Sequence, residues 1–381
     1  MFVVYSYLIF IVLLLVFELL RPRPEGTIGL EYGPLPLPQA SSRFSGLGVS
    51  SAIAVSNRSL IVGGPNDDDY LGSVWYLDFI EGRLSDKITA PPPRPSHGLF
   101  GTSVSRVLDG TSFIVGAPGE DLYQGTVYIF QQGIMTQEIR PPEVTPVSTF
   151  GLSVFIAFDG SLAVAGAPGF NFGNGGVWMF EKNGTGYYNQ SRPVINPPNY
   201  EVGQSFGDYV RITADKKLLV VAATQQDGGI GRVYSYLLNG TKDATLQQEL
   251  LPFNTQPGCR FGTILKISVE ALVAGSPYEG CQTFLYLRSG VDWYEAVELG
   301  QQTDVSYNLE ELVNCVGSHC ILYRVQNAQL IRILSFNVVN NYIVSRVVLL
   351  PISQQIVVMV NQLTNPSLPE DSIFIYSYAL Y

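Results

Sequence analysis

The sequence predicts an all-β chain of the propeller type, and three observations carry that expectation. The stretch FGTSVSRVLDGTSFIVGAPGEDLYQGTVYIF, Phe100 to Phe130, recurs in imperfect copies along most of the chain. Its turn residue returns at positions 65, 118, 168, 224 and 277, so successive units lie 53, 50, 56 and 53 residues apart. Several short strands per unit at a period of about fifty residues are the mark of a propeller. Glycine makes up 38 of 381 residues, above the usual share of about 7 per cent, as an array of tight turns requires.

Within the unit, three runs of β-branched and aromatic residues are bounded by Gly, Pro, Asp or Asn, and each reads as a strand. The first spans Phe100 to Val107, and Asp109-Gly110 forms a two-residue hairpin turn. The second, Ser112 to Ala117, stops at Pro118-Gly119; a loop from Glu120 to Gly125 leads to the third, Thr126 to Phe130. Aromatics at alternate positions of third strands, including Trp75, Tyr128, Phe130, Trp178 and Phe180, are expected to pack between sheets. Proline-rich stretches at Ala90–Pro95, Arg140–Pro146 and Pro193–Pro198 are expected to mark outer strands and crossings to the next unit.

These residues, F-G-x-x-V, then G-A-P-G, then G-x-V-Y-x-F, resemble the FG-GAP repeat of the N-terminal β-propeller of integrin α chains. The resemblance is clear from about residue 40 to 290, over units at roughly 44–95, 96–146, 147–202, 203–256 and 257–300, and fades over 301–381. There the strand pairs Cys320–Val325 with Leu330–Phe336, and Ile356–Val360 with Ser372–Tyr378, persist without Phe-Gly or Gly-Ala-Pro. The resemblance implies a seven-bladed β-propeller over 39–381, with a six-bladed ring as the competitor. It also implies adhesion or receptor-like recognition of a protein or glycan at one loop face.

The chain opens on an apolar segment. Residues 1–20 hold fifteen Leu, Ile, Val or Phe and one charge, Glu18, which predicts a transmembrane signal-anchor in the lipid bilayer. A cleaved signal peptide is the alternative, but no basic stretch precedes the apolar run and no small-residue cleavage site comes after it. Residues 21–38 carry Pro22, Pro24, Pro34, Pro36 and Pro38 and read as a stiff stalk. Its second half, IGLEYGPLPLP, resembles the strand that completes the last blade in the family, which would remove the free edges of the array.

Two signals conflict over orientation. Arg21 and Arg23 stand directly after the apolar run, and the positive-inside rule would hold the C-terminal side of that run in the cytosol. Against them stand four glycosylation sequons, at Asn57, Asn183, Asn189 and Asn239. The four cysteines, Cys259, Cys281, Cys315 and Cys320, also suit an oxidising compartment. A bridge between Cys259 and Cys281 is natural at one blade edge and would contribute ~3 kcal/mol. Cys315 and Cys320 could form a second across a tight hairpin, although four cysteines allow three pairings. The balance predicts a single-pass glycoprotein with an extracellular or lumenal propeller.

Chemistry in the loops is sparse. Asp67 and Asp69 are the candidate calcium ligands, since alternate carboxylates suit a hard cation. The family's calcium pattern, D-x-D-x-D-G-x-x-D, is matched by no loop here, and Glu120-Asp121 offers only adjacent carboxylates. His97 and His319 have no recognisable catalytic partner. The net charge of −10 excludes the basic stripe that nucleic acid requires. The expectation is therefore a non-enzymatic, membrane-anchored binding propeller. The alternatives are a laterally packed structural scaffold of an envelope or virion and, more weakly, a propeller hydrolase in which Asp68, Asp121, Asp208 and Asp227 converge.

Overall fold

The computed structural model describes residues 28–35, 59–78, 83–84, 87–92, 97–107, 110–191, 193–239, 243–251, 256–268, 271–300, 304–307, 311–326, 329–338, 342–350, 355–362 and 371–378. The apolar segment 1–20, most of the stalk and Asn57 lie outside them. No described helix is long and apolar enough to cross a membrane.

The chain is all-β, and its described strands form seven antiparallel sheets, six of four strands and one of three. Sheet two is representative: Ser103–Arg106, Ser112–Ala117, Thr126–Gln131 and Ile134–Ile139 pair in chain order. Sheets three to six repeat this meander from Ser153–Ile156, Phe206–Ile212, Ile264–Ile267 and Asp304–Tyr307 onwards. Sheet seven differs. Its strands Tyr342–Leu350, Gln355–Gln362 and Asp371–Tyr378 are completed by Ile28–Leu35, so that the first and last described strands share one sheet.

Continuous apolar runs arise because each inner sheet is buried on both faces. Alternate side chains of a strand point to opposite faces. Ile114, Val127 and Ile129 pack with Val154, Ala165 and Trp178 of sheet three. Phe113, Val115, Tyr128 and Phe130 turn the other way, onto Ile61 and Val74 of sheet one, which is formed by Ser59–Gly64, Ser73–Asp78 and Arg83–Leu84. The Phe of each Phe-Gly sits over the two aromatics of its own third strand. Phe100 meets Tyr128 and Phe130, Phe150 meets Trp178 and Phe180, and Phe206 meets Tyr234 and Tyr236, at centroid distances of 5.6 to 6.2 Å.

Glycine explains the other half of the motif. The Gly101 amide donates to Gly116 O within sheet two, and the Gly151 amide to Gly166 O within sheet three. Gly116 in turn lies against Gly151 of the next sheet, and a Cβ on Gly116 would fall 1.9 Å from Gly151 O. The same approach recurs at Gly166, whose Cβ would fall 2.0 Å from Gly207 O. Neighbouring sheets thus meet backbone to backbone. In sheet two the first strand begins at Ser103 rather than at Phe100, just after the left-handed Gly101 at φ +92°, whereas in sheet four it starts at Phe206 with an irregularity after the equivalent Gly207. Among the described residues the proline-rich stretches are mainly crossings, although Ile195 between its prolines still bridges Val177 of the third strand antiparallel. The outer strands Arg83–Leu84, Ile134–Ile139 and Tyr188–Gln190 end before them, since a ladder needs the amides that proline lacks.

Each sheet has two ends. At one, the first strand starts and a turn joins the second strand to the third; at the other lie the hairpins joining strands one to two and three to four. The hairpin ends of sheets three, four and five are tied by ion pairs. Lys216 Nζ lies 2.6 Å from Asp159 and Arg288 Nη1 2.9 Å from Asp215. Burial works against ionisation of Asp159, but hydrogen bonds from Lys216 and Ser161 outweigh it and hold the carboxyl at about 2. Asp215 is lowered in the same way, burial being outweighed by Thr213, the Lys217 amide and Arg288.

Gly116→Ala is expected to lower stability by about 3 kcal/mol, because the new methyl meets backbone that has no room to move; an unchanged urea midpoint would contradict the close approach. A depressed carboxylate contributes stability above its unfolded pKa, near 3.9 for Asp, and loses it as pH falls through the folded value. Asp159→Asn is therefore expected to flatten the stability–pH curve between about 4 and about 2, as measured by thermal unfolding across that range.

Candidate functional site

The turns between second and third strands share one backbone design. In sheets one to four it occupies Asp67–Tyr70, Glu120–Tyr123, Phe170–Gly173 and Gln226–Gly229. The second and third residues of each turn are left-handed, with φ between 47° and 67°. Asp and Asn tolerate that region better than other non-glycine residues. The second position is Asp68, Asp121, Asn171 or Asp227, so the backbone itself accounts for the acidic character of these loops.

The first residue of each turn points inward over the aromatic residue eight positions on. The Tyr128 hydroxyl donates to Glu120 at 2.9 Å, the Tyr234 hydroxyl to Gln226 at 2.7 Å, and Phe170 packs edge-on against Trp178 at 5.1 Å. Three chemistries serve one structural position. Burial pushes the Glu120 carboxyl up, partly offset by hydrogen bonds from Thr126 and Tyr128 and by the charge of Arg140.

The structure alters the expected calcium pair. Asp67 is fully buried, accepts a hydrogen bond from Ser73 Oγ at 2.7 Å and lies 2.6 Å from Lys87 Nζ. The same ammonium is 2.6 Å from Asp68. It is Asp67 and Asp68 that converge, and a lysine already occupies the position between them. Asp69 is exposed and joins neither, because two successive left-handed residues swing its side chain outward. Burial alone would lower the Lys87 pKa, but hydrogen bonds and attraction from Asp67 and Asp68 outweigh it and raise it. Sheet two repeats the arrangement with Arg140 on Glu120 and Asp121, and sheet four with Arg232 on Asp227 and Glu249. Among the described residues no group of three or more His, Cys, Asp or Glu could hold a metal ion.

Of the four carboxylates that a hydrolase reading would gather, Asp68, Asp121 and Asp227 are each held by a cation of their own sheet. Asp208 lines a cavity of 290 Å³ between the first strands of neighbouring sheets. His97 stacks on Tyr70 at 5.9 Å, and His319 Nδ1 lies 2.8 Å from Asn337 Oδ1. Among the described residues neither contacts a nucleophile.

The turns carry a second feature that the sequence did not signal. Leu122 and Phe172, third in their turns and left-handed, are 79 and 82 per cent exposed. Tyr70 and Tyr123 come next at the fourth position, and Val147, Tyr200 and Val202 stand exposed on the adjoining crossings. Backbone bonds join turn to crossing, with Val147 donating to Leu122 O at 3.1 Å and Ser205 to Gly173 O at 2.8 Å. A row of apolar side chains therefore runs from sheet to sheet along this end.

The cysteines pair as Cys259–Cys281 and Cys315–Cys320, with Cα separations of 5.6 and 4.1 Å. Both bridges lie at the end that carries the turns. Asn183 and Asn239 are exposed where third strands end, and Asn189 is exposed on the edge strand Tyr188–Gln190 beside that same hairpin end. The chain matches no protein-family model and no curated protein.

Lys87→Met is expected to cost about 3 kcal/mol, since it leaves the buried Asp67 carboxylate without its cation. Chelator or added calcium is expected to leave the wild-type melting temperature unchanged. A calcium-dependent rise in melting temperature would contradict this reading of the turn.

Proposed function

We propose that the chain is a membrane-anchored β-propeller of the FG-GAP repeat type, with the seven sheets as its blades, which binds a macromolecular partner without catalysis. The Phe-Gly and Gly-Ala-Pro residues support the repeat type, because each has a mechanical role between sheets. The pairing of Ile28–Leu35 with Asp371–Tyr378 supports a ring joined through its own termini. Residues 1–20 are the anchor. The two disulfides and the exposed sequons support an extracellular or lumenal, glycosylated propeller.

The observation that carries the recognition reading is the contrast between the two ends. Apolar side chains exposed on left-handed backbone cost roughly 1–2 kcal/mol each without stabilising the fold. Such strain collects where a chain is shaped for contact rather than for stability. At the opposite end stand the described sequons, and Ile28–Leu35 starts there, since Ile28 pairs with Tyr378 at the close of a third strand. In this reading the anchor and the glycans belong to the hairpin end, which the entry of Ile28 there supports. The turn end faces away from the bilayer, unshielded, with rigid loops bearing Leu122 and Phe172.

A photoreactive aromatic side chain placed at position 172 of the full-length protein, in membranes of its own host, is expected to form an adduct with a macromolecule. The same group at position 134, where Ile134 is 70 per cent exposed at the hairpin end, is the control and is expected to form none. Adducts from 134 but not from 172 would assign recognition to the wrong end.

A further inference from the structure

The fourth repeat departs from the others at two positions, and the two residues are hydrogen-bonded to each other. After Phe-Gly the other repeats have Thr102, Leu152 and Thr263, and here stands Asp208. At the turn position the others have Pro65, Pro118, Pro168 and Pro277, and here stands Thr224. The Thr224 hydroxyl donates to the Asp208 carboxyl. The carboxylate and the hydroxyl that holds it thus stand together at the wall of the 290 Å³ cavity.

The remaining lining is equally specific. Ser205, Thr102 and Thr263 bring hydroxyl-bearing side chains from three sheets. At the mouth, the exposed Arg260 lies over the Tyr278 ring, 5.7 Å from its centroid. Among the described residues Arg260 is in no ion pair, so its fork of N–H donors is open to an anion. The cavity opens at the turn end, beside the Cys259–Cys281 bridge that fixes the segment before Arg260.

Resting on the recognition reading above, we infer that this cavity binds the terminal sugar of a glycan, a monosaccharide ring that bears a carboxylate. Arg260 takes the carboxylate, and Asp208 with the neighbouring hydroxyls takes the ring hydroxyls, which both donate and accept. The volume sits at the lower edge of the range for small-molecule sites, roughly 300–1,000 Å³, and suits one ring. A phosphate would bring its charge close to Asp208 with only one guanidinium to balance both. Burial pushes the Asp208 carboxyl up to about 6, against the pull of Thr224 and Arg260. A desolvated acid beside a cavity weakens the fold and is kept where it meets a ligand.

The test is binding of N-acetylneuraminic acid, glucuronic acid and glucose to the full-length protein in detergent, by saturation-transfer NMR. At least one acidic sugar is expected to bind in the millimolar range and glucose to bind more weakly. Arg260→Gln is expected to weaken the acidic sugar by about tenfold or more, the worth of a charge-assisted pair, with the melting temperature unchanged because the side chain is exposed. Asp208→Asn, which keeps the shape, is expected to weaken it as well. Binding of no acidic sugar, or equal binding by wild type and Arg260→Gln, overturns the inference. The position-172 crosslink, repeated in Arg260→Gln, separates the two readings: an adduct without sugar binding leaves the recognition face standing and removes the pocket.

Discussion

Everything in the molecule depends on how closely one sheet can approach the next. Gly116 lies against Gly151 and Gly166 against Gly207 at distances that admit no side chain. That approach lets Phe150 and Phe206 reach full burial over their third-strand aromatics. Losing one such ring would cost about 3–5 kcal/mol. Where sheet four replaces the glycine by Ala222, the contact passes to Gly262 of the following sheet. The motif is therefore a packing device, and the sequence repeats because the contact repeats.

That contact also fixes where variation is tolerated. With the inner strands locked, the turns between second and third strands hang from backbone bonds to the following sheet, and their side chains are released from the core. The first residue of each turn can be Asp67, Glu120, Phe170 or Gln226, provided that it covers an aromatic neighbour and finds a partner. Cations from the same sheet, Lys87, Arg140 and Arg232, neutralise the acids that the left-handed backbone favours. The exposed third and fourth residues then differ from sheet to sheet without disturbing the frame. A surface of this kind can be reshaped for a partner while the core stays constant.

Much of this was legible in the chain. The strands of sheets two to five read directly, because burial on both faces leaves unbroken apolar runs such as Ser112–Ala117 and Leu218–Ala223. Outer strands such as Asp243–Leu250 were hidden, being largely exposed on one side and poor in β-branched residues. The acids at 67 to 69 suggested a calcium site because alternate carboxylates resemble a ligand set. The better signal was the Asp or Asn at the second position of four successive turns, which is the signature of a left-handed residue. Asp208 and Thr224 each depart from the repeat, and it is their hydrogen bond that gives the two departures a common meaning.

In the proposed arrangement one end of the ring is turned to a partner while glycans and anchor occupy the other, in an oxidising compartment. Peptide mapping by mass spectrometry, on full-length protein from host membranes alkylated before reduction, tests it most directly. The account predicts glycan at Asn183, Asn189 or Asn239, with Cys259 linked to Cys281 and Cys315 to Cys320. Unmodified asparagines together with four alkylated cysteines would place the sheets in the cytosol and contradict it.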